Sequence, residues 1–188
     1  MVNIFCAEIQ NTQSSAPLLK QVLTGPCGLP PEVRIGRTPE GKPFADAETD
    51  LSFSVSHTGS LWICAVGQQP LGVDVEYEDR SVNNPERLAR RFFSVHEQKV
   101  LQEGGFSPRM FLELWTRKEA FLKLQGTGLL HTPPAADRLD PGGVFYCEDP
   151  LTARALAQQA GRPVVFSLCS TRPVSEVQVI PQQQWRRD

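Results

Sequence analysis

Three extended runs crowd the middle of the chain with little between them. FSVSH alternates from Phe53, LWICAVG is a continuous apolar stretch from Leu61, and LGVDVE follows from Leu71. Alternation marks a half-buried strand, and a short all-apolar run marks a strand buried on both faces. The HTGS segment supplies the turn between the first two, and Gln69-Pro70 leads into the third. Val2 to Ile9 reads as an earlier strand. Ala16 to Leu23 reads as a short helix, with Pro17 in its first turn and Gly25 ending it. After the strands the pattern turns helical. Asn84-Pro85-Glu86 is a helix start with Asn84 as N-cap, and Ser94 to Glu97 matches a capping box. Phe111 to Gln125 is the longest helical segment, closed by Gly126. Thr127 to Gly143 is loop-like. The tail carries three short strand signals (GVFYC, VVFSLC, VSEVQVI) and a helix around Thr152 to Ala160. This mixed order argues for an α+β fold in one structural unit rather than a doubly wound sheet. Leu61–Val66 has a weak echo in Val164–Cys169, compatible with two similar halves.

Composition removes several classes of function. A net charge of −2 over 188 residues offers no global attraction to nucleic acid or to an anionic membrane. The apolar run from Leu61 to Val66 is far too short to span a bilayer. MVNIFCAEIQ has neither a basic leader nor a sustained apolar stretch, so no signal peptide is expected. Five cysteines at wide spacing, with no CxxC pair, fit reduced thiols and a cytoplasmic protein better than a disulfide framework or a zinc site. His96 and His131 lack metal-ligand spacing with cysteine and read as ordinary polar residues.

The chemistry lies in the carboxylates. Alternate strand residues share a face, so Asp74 and Glu76 point the same way with Cα atoms about 7 Å apart. They form either a solvated strand face or, with a third acid, part of a cation site. Glu119 sits at the edge of an apolar helical stripe made by Phe111, Leu114, Trp115, Phe121 and Leu122. A partly buried charge there needs a partner. Lys123, one turn on, could supply it as an ordinary i,i+4 pair. Oxygens from Asp74, Glu76 and Glu119 would together suit Mg²⁺, which leaves positions open for water and phosphate. A nearby lysine would suit a phosphate oxygen. Ser56 and His57 are adjacent and face opposite ways on a strand, so they make a poor nucleophile–base pair.

GVDVE (72–76), FFSVHE (92–97) and WTRKEAFLK (115–123) together resemble the 4′-phosphopantetheinyl transferase superfamily. The closer resemblance is to the surfactin-synthetase-activating type, in which two similar halves lie in one chain. GKPF (41–44) and SVSHTG (54–59) match further signatures of that type in the right order. The resemblance implies two pseudo-symmetric α/β halves, 1–69 and 70–188, with a coenzyme A cleft between them. It implies Mg²⁺-dependent transfer of phosphopantetheine from coenzyme A to a serine of an apo acyl or peptidyl carrier protein, releasing 3′,5′-ADP, by a monomer. The rival readings are a non-catalytic coenzyme A-binding module and another Mg²⁺-dependent phosphotransferase or phosphohydrolase.

Carried over residue by residue, the metal ligands are Asp74, Glu76 and Glu119, and Lys123 holds a pyrophosphate oxygen. Ser56 and His57 contact phosphate, and Lys42, Pro43 and Phe44 belong to the nucleotide-binding segment. Lys118 shares the signature, although it points away from Lys123 on a helix. Glu119 and Glu97 are the candidates for accepting the serine proton, Glu97 also being the third helical residue of the capping box. The stretch before Lys42 is shorter and less basic than in larger members, holding only Lys20, Arg34 and Arg37. Arg37 is the expected contact for a nucleotide phosphate. Arg87, Arg90 and Arg91 recur on one helical face, either as a solvated basic surface or as a docking surface for an acidic carrier.

Overall fold

Val2–Glu8 forms β1, and Ala16–Thr24 forms α1. Arg34–Arg37 (β2) and Pro43–Asp46 (β3) make a hairpin. Ser52–Thr58 (β4), Leu61–Gly67 (β5) and Leu71–Tyr77 (β6) follow, then the helices Pro85–Phe92 (α2), Val95–Glu103 (α3) and Pro108–Gln125 (α4). Phe145–Cys147 (β7), Pro150–Ala160 (α5), Val164–Ser170 (β8) and Val177–Pro181 (β9) complete the order. This computed structural model describes residues 1–10, 14–127, 137–140 and 142–185. His131, and most of the loop expected over 127–143, lie outside the described residues.

The architecture is mixed α+β. One sheet runs β4-β5-β1-β9, with β1 antiparallel to β5 and parallel to β9; a second runs β6-β8-β7, antiparallel throughout. Every residue of β5 is buried, which is why its sequence is apolar without interruption. One face of the first sheet sends Ile4, Cys6, Ile63 and Ala65 into a core shared with Val73, Val75, Phe166 and Leu168 of the second sheet and Leu156 of α5. The other face buries Phe5, Trp62, Cys64 and Val66 against Leu19, Val22 and Leu23 of α1 and against Trp185. All five cysteines are free. Among the described residues, no helix is long and apolar enough to cross a membrane.

The two sheets meet along β4 and β6, and hydroxyls make the seam. Ser54 Oγ accepts the Val73 N–H at 3.1 Å, and Ser56 Oγ donates to Asp74 Oδ1 at 2.6 Å. Thr58 Oγ1 accepts the Tyr77 N–H at 3.3 Å and donates to Glu76 Oε2 at 2.8 Å. Alternation places these three hydroxyls on one side of β4 and leaves His57 exposed on the other.

Helix α4 packs on both β6 and β8. It starts at Pro108, one turn before the expected Phe111, and Gly126 ends it at φ 74°, a left-handed conformation that glycine adopts without strain. Its approach to β6 depends on Gly72: a Cβ there would lie 2.0 Å from the Ala120 carbonyl oxygen and 2.4 Å from the Leu124 nitrogen. The capping box at Ser94 forms as expected, with Ser94 and Glu97 each bonding the other's backbone N–H. Asn84 behaves differently from expectation. It precedes α2 with φ 54° and no side-chain cap, so its contribution is the left-handed turn that Asn tolerates.

Candidate active site

The carboxylates of β6 face inward, not toward solvent. Asp74 is 5 % exposed and Glu76 8 %, because β4 lies beside the face they share. Asp74 Oδ1 accepts from Ser56 Oγ and, at 2.7 Å, from the Lys123 ammonium, which also reaches Ser56 Oγ at 2.9 Å. Asp74 Oδ2 is buried without a hydrogen-bond partner. Glu76 Oε1 is held by the Arg80 guanidinium, four residues on, and Oε2 by Thr58. Glu119, on α4, is not paired with Lys123 as an isolated helical surface would have it; Lys123 turns to Asp74 instead. Burial, and then the nearby charge of Asp74, push the Glu119 carboxyl up to about 7.

Crowded acids with one buried oxygen left unsatisfied are what a hard cation relieves, and the donors are all oxygen. The residues are thus of the chemical type that a hard divalent cation takes. They do not stand as a preformed cage: among the described residues, no group of three or more His, Cys, Asp or Glu side chains is arranged to hold a metal. Two of the three carboxylates expected to cluster are paired with cations of the protein, Lys123 on Asp74 and Arg80 on Glu76.

Two openings flank this centre. The first is a groove of about 470 Å³ lined by Arg37, Lys42, Pro43, Ser56, His57, Glu119 and Lys123, among others. Its walls come from the β2–β3 hairpin, β4 and the C-terminal half of α4. Lys42 reaches across to the Leu124 carbonyl at 3.0 Å, at the end of α4, and burial lowers its pKa. Arg37 bonds the Gly41 carbonyl at 2.8 Å, which closes the hairpin turn under the groove. The second opening, of about 600 Å³, lies at the other end of the seam and is lined by Ile9, His57, Thr58, Gly59, Glu76, Tyr77, Arg80 and Arg162. His57 lines both.

Three expected site residues stand elsewhere. Phe44 is 46 % exposed, and its ring lies over Gly36 across the hairpin rather than in the groove. Glu97 is fully buried. Its Oε2 accepts from the Ser94 N–H and the Lys118 ammonium, both at 2.6 Å, and its Oε1 accepts from the Arg138 N–H at 2.8 Å. Both oxygens of Glu97 are thus engaged within the protein, and its side chain is shut off from solvent. Lys118 is buried as its partner and also bonds the Phe92 carbonyl at 2.6 Å, tying α4 to the end of α2. It lies more than a turn before Lys123, on another face of α4, and serves there as an internal strut.

Sequence reasoning missed Ser54, Thr58 and Arg80. The first two carried a signal: FSVSHT places a hydroxyl at every second position, and a row of hydroxyls on one strand face can satisfy a neighbouring strand's polar groups. Arg80 carried only its i,i+4 spacing from Glu76, which has meaning on a helix and none on a strand that ends in a turn.

A family model described as the 4′-phosphopantetheinyl transferase superfamily matches residues 70–169. The chain is 35% identical over 102 residues to a 4′-phosphopantetheinyl transferase of Bacillus subtilis, covering 53% of this chain and 44% of that protein. It is 35% identical over 119 residues to 4′-phosphopantetheinyl transferase HetI of a Nostoc species, covering 60% and 50%. It is 33% identical over 115 residues to 4′-phosphopantetheinyl transferase gsp of Aneurinibacillus migulanus, covering 60% and 46%. The chain spans about half the length of these relatives.

Proposed function

Since the chain belongs to the 4′-phosphopantetheinyl transferase superfamily, we propose that it moves the phosphopantetheine group of coenzyme A onto a serine of an apo acyl or peptidyl carrier protein. The observation that carries this reading is the buried, unsatisfied Asp74 Oδ2, on a carboxylate whose other oxygen pairs with Lys123, which lines a groove together with Glu119, Arg37, Lys42 and His57. An anionic ligand with a diphosphate and a nucleotide end suits such a lining.

In this reading the chain divides into halves 1–69 and 70–188, and coenzyme A lies along the seam where they meet. Lys42 and Arg37 hold the nucleotide end. His57 and Ser56 contact the diphosphate, and Lys123 shifts part of its hydrogen bonding from Asp74 to a diphosphate oxygen. Asp74, Glu76 and Glu119 would hold Mg²⁺, which when bound neutralises charge on the diphosphate and on the leaving group. The serine oxygen forms a bond to the β-phosphorus, the bond from that phosphorus to the bridging oxygen breaks, and 3′,5′-ADP leaves with the electron pair. Glu119 takes the serine proton, directly or through water. The basic row Arg87, Arg90 and Arg91 on α2 steers the acidic carrier.

The test is incubation of the protein with labelled coenzyme A, Mg²⁺ and a panel of apo carriers, followed by intact-mass measurement. The expected result is one phosphopantetheine added per carrier, dependent on the divalent ion and slowed about 100-fold or more in Asp74→Asn. Coenzyme A consumption without any carrier would point instead to a phosphohydrolase. No mass gain on any carrier, with coenzyme A still bound, would leave only a binding module.

A further inference from the structure

Glu76 is the one acid of the three whose both oxygens are already engaged, and one of its partners is charged. The Tyr77–Arg80 turn, closed by the Arg80 N–H to the Tyr77 carbonyl at 3.0 Å, folds the chain back at the end of β6. It thereby returns the Arg80 guanidinium to the strand it has just left. Thr58 donates to the other oxygen through a buried bond, so Arg80 is not the only group that orients the Glu76 carboxylate. Arg80 itself is unlike Lys118, the buried strut. Its side chain is 47% exposed at the mouth of the cavity beside Glu76, so it can leave without opening the core. It also faces a like charge there, Arg162, which stacks on Tyr77 and pairs with Asp79.

We infer that Arg80 is a displaceable internal cation that occupies Glu76 when no divalent ion is present and competes with that ion for the same carboxylate oxygen. The inference rests on the proposed metal-dependent reading of the site. It adds a residue that sets how much divalent ion the site needs. A guanidinium holding Glu76 offsets the repulsion that neighbouring carboxylates exert on one another. The same contact must break before Glu76 can ligate. Arg80 therefore lowers the apparent affinity for the ion and, once released, leaves a mobile positive charge at the mouth of the second cavity.

The experiment is Mn²⁺ titration of the full chain, with free Mn²⁺ read by electron paramagnetic resonance, for wild type, Arg80→Gln, Glu76→Gln and the double variant. Folding of each is checked by circular dichroism. Arg80→Gln should bind Mn²⁺ about three- to tenfold more tightly, the range expected from removing a partly exposed ion pair and a nearby like charge. In the Glu76→Gln background the same substitution should have little effect, because the contested oxygen is no longer a carboxylate. Arg80→Lys should fall between. Unchanged or weaker Mn²⁺ binding by folded Arg80→Gln overturns the inference while leaving the metal site standing. An equal gain in both backgrounds also overturns it, since that is long-range charge and not competition. A wild type that binds no Mn²⁺ removes the metal-dependent reading itself and this inference with it.

Discussion

Replacing Gly72 by alanine tests whether the site depends on how closely α4 lies to β6. The added Cβ would sit 2.0 Å from the Ala120 carbonyl oxygen and 2.4 Å from the Leu124 nitrogen. Both are backbone atoms of a helix, so no side chain can rotate away. Restoring ordinary contact requires α4 to withdraw by about 1.4 Å, in an interior packed too densely to absorb it. Overpacking of this kind costs about 3 kcal/mol. For a chain of this size that lowers the melting temperature by roughly 6–12 °C. The consequence for chemistry is sharper. Lys123 meets Asp74 across this interface at 2.7 Å, and a shift of that size carries it out of hydrogen-bond reach. Glu119 moves with it. Gly72→Ala should therefore lose transfer activity even at temperatures where it stays folded. Thermal unfolding followed by circular dichroism, beside the transfer assay at 20 °C, separates the two effects. Gly142→Ala is the control, because nothing lies within 4 Å of a Cβ there. A Gly72→Ala protein that melts within a degree or two of wild type and turns over normally would refute the claim that helix–strand proximity assembles the site.

Other substitutions probe the remaining parts. Asp74→Asn keeps the shape of a buried side chain but removes its charge; kcat/KM should fall about 100-fold or more, with the circular dichroism spectrum retained. Lys118→Met leaves Glu97 charged and buried without its counter-ion, and should cost about 3–5 kcal/mol in urea denaturation. The Lys118→Met/Glu97→Gln pair should recover much of that loss, and a double variant as unstable as the single would contradict the strut assignment. Arg90→Ala, on exposed α2, should raise the KM for carrier about three- to tenfold at low salt, with kcat retained. The difference should shrink as salt is added; an unchanged KM would remove α2 from the docking surface. Lys42→Ala should raise the KM for coenzyme A about tenfold, measured by varying coenzyme A at saturating carrier.

Much of the fold was legible because its signals are local. The uninterrupted LWICAVG run, the capping box at Ser94 and the glycine after α4 each act within a few residues, and each appears where expected. The short edge strands β2 and β3 lay unread within a Pro/Gly-rich connection. Their pairing depends on one another and not on any pattern within four residues. Among the site residues that the family signatures mark, Lys42, Pro43, Ser56, His57, Glu119 and Lys123 line one groove, Glu76 lines the second opening, and Phe44, Lys118 and Glu97 lie elsewhere. The last two are diverted by a partner 21 positions away that no periodicity reveals.

What could not be read was which way the Asp74–Glu76 face turns. Two acids on one strand face ordinarily imply solvent, because burying either alone is costly. Here the cost is met by a neighbour: β4 presents Ser54, Ser56 and Thr58 to β6, and each hydroxyl satisfies an atom of the opposing strand. The alternation in FSVSHT and the alternation in VDVE are therefore one feature seen from two sides. A strand with hydroxyls at every second position needs polar groups opposite it, and a strand with buried acids needs donors. Neither pattern decides its own orientation, but the two close in sequence, separated by a single apolar strand, restrict each other. Replacing Thr58 by valine separates the halves of that argument. It keeps the branched shape and removes the bond to Glu76, so the seam should weaken by about 1–3 kcal/mol in urea denaturation, while Thr58→Ser should keep most of the stability. Equal stability of the two variants would mean that β4 and β6 are held together by their apolar faces alone.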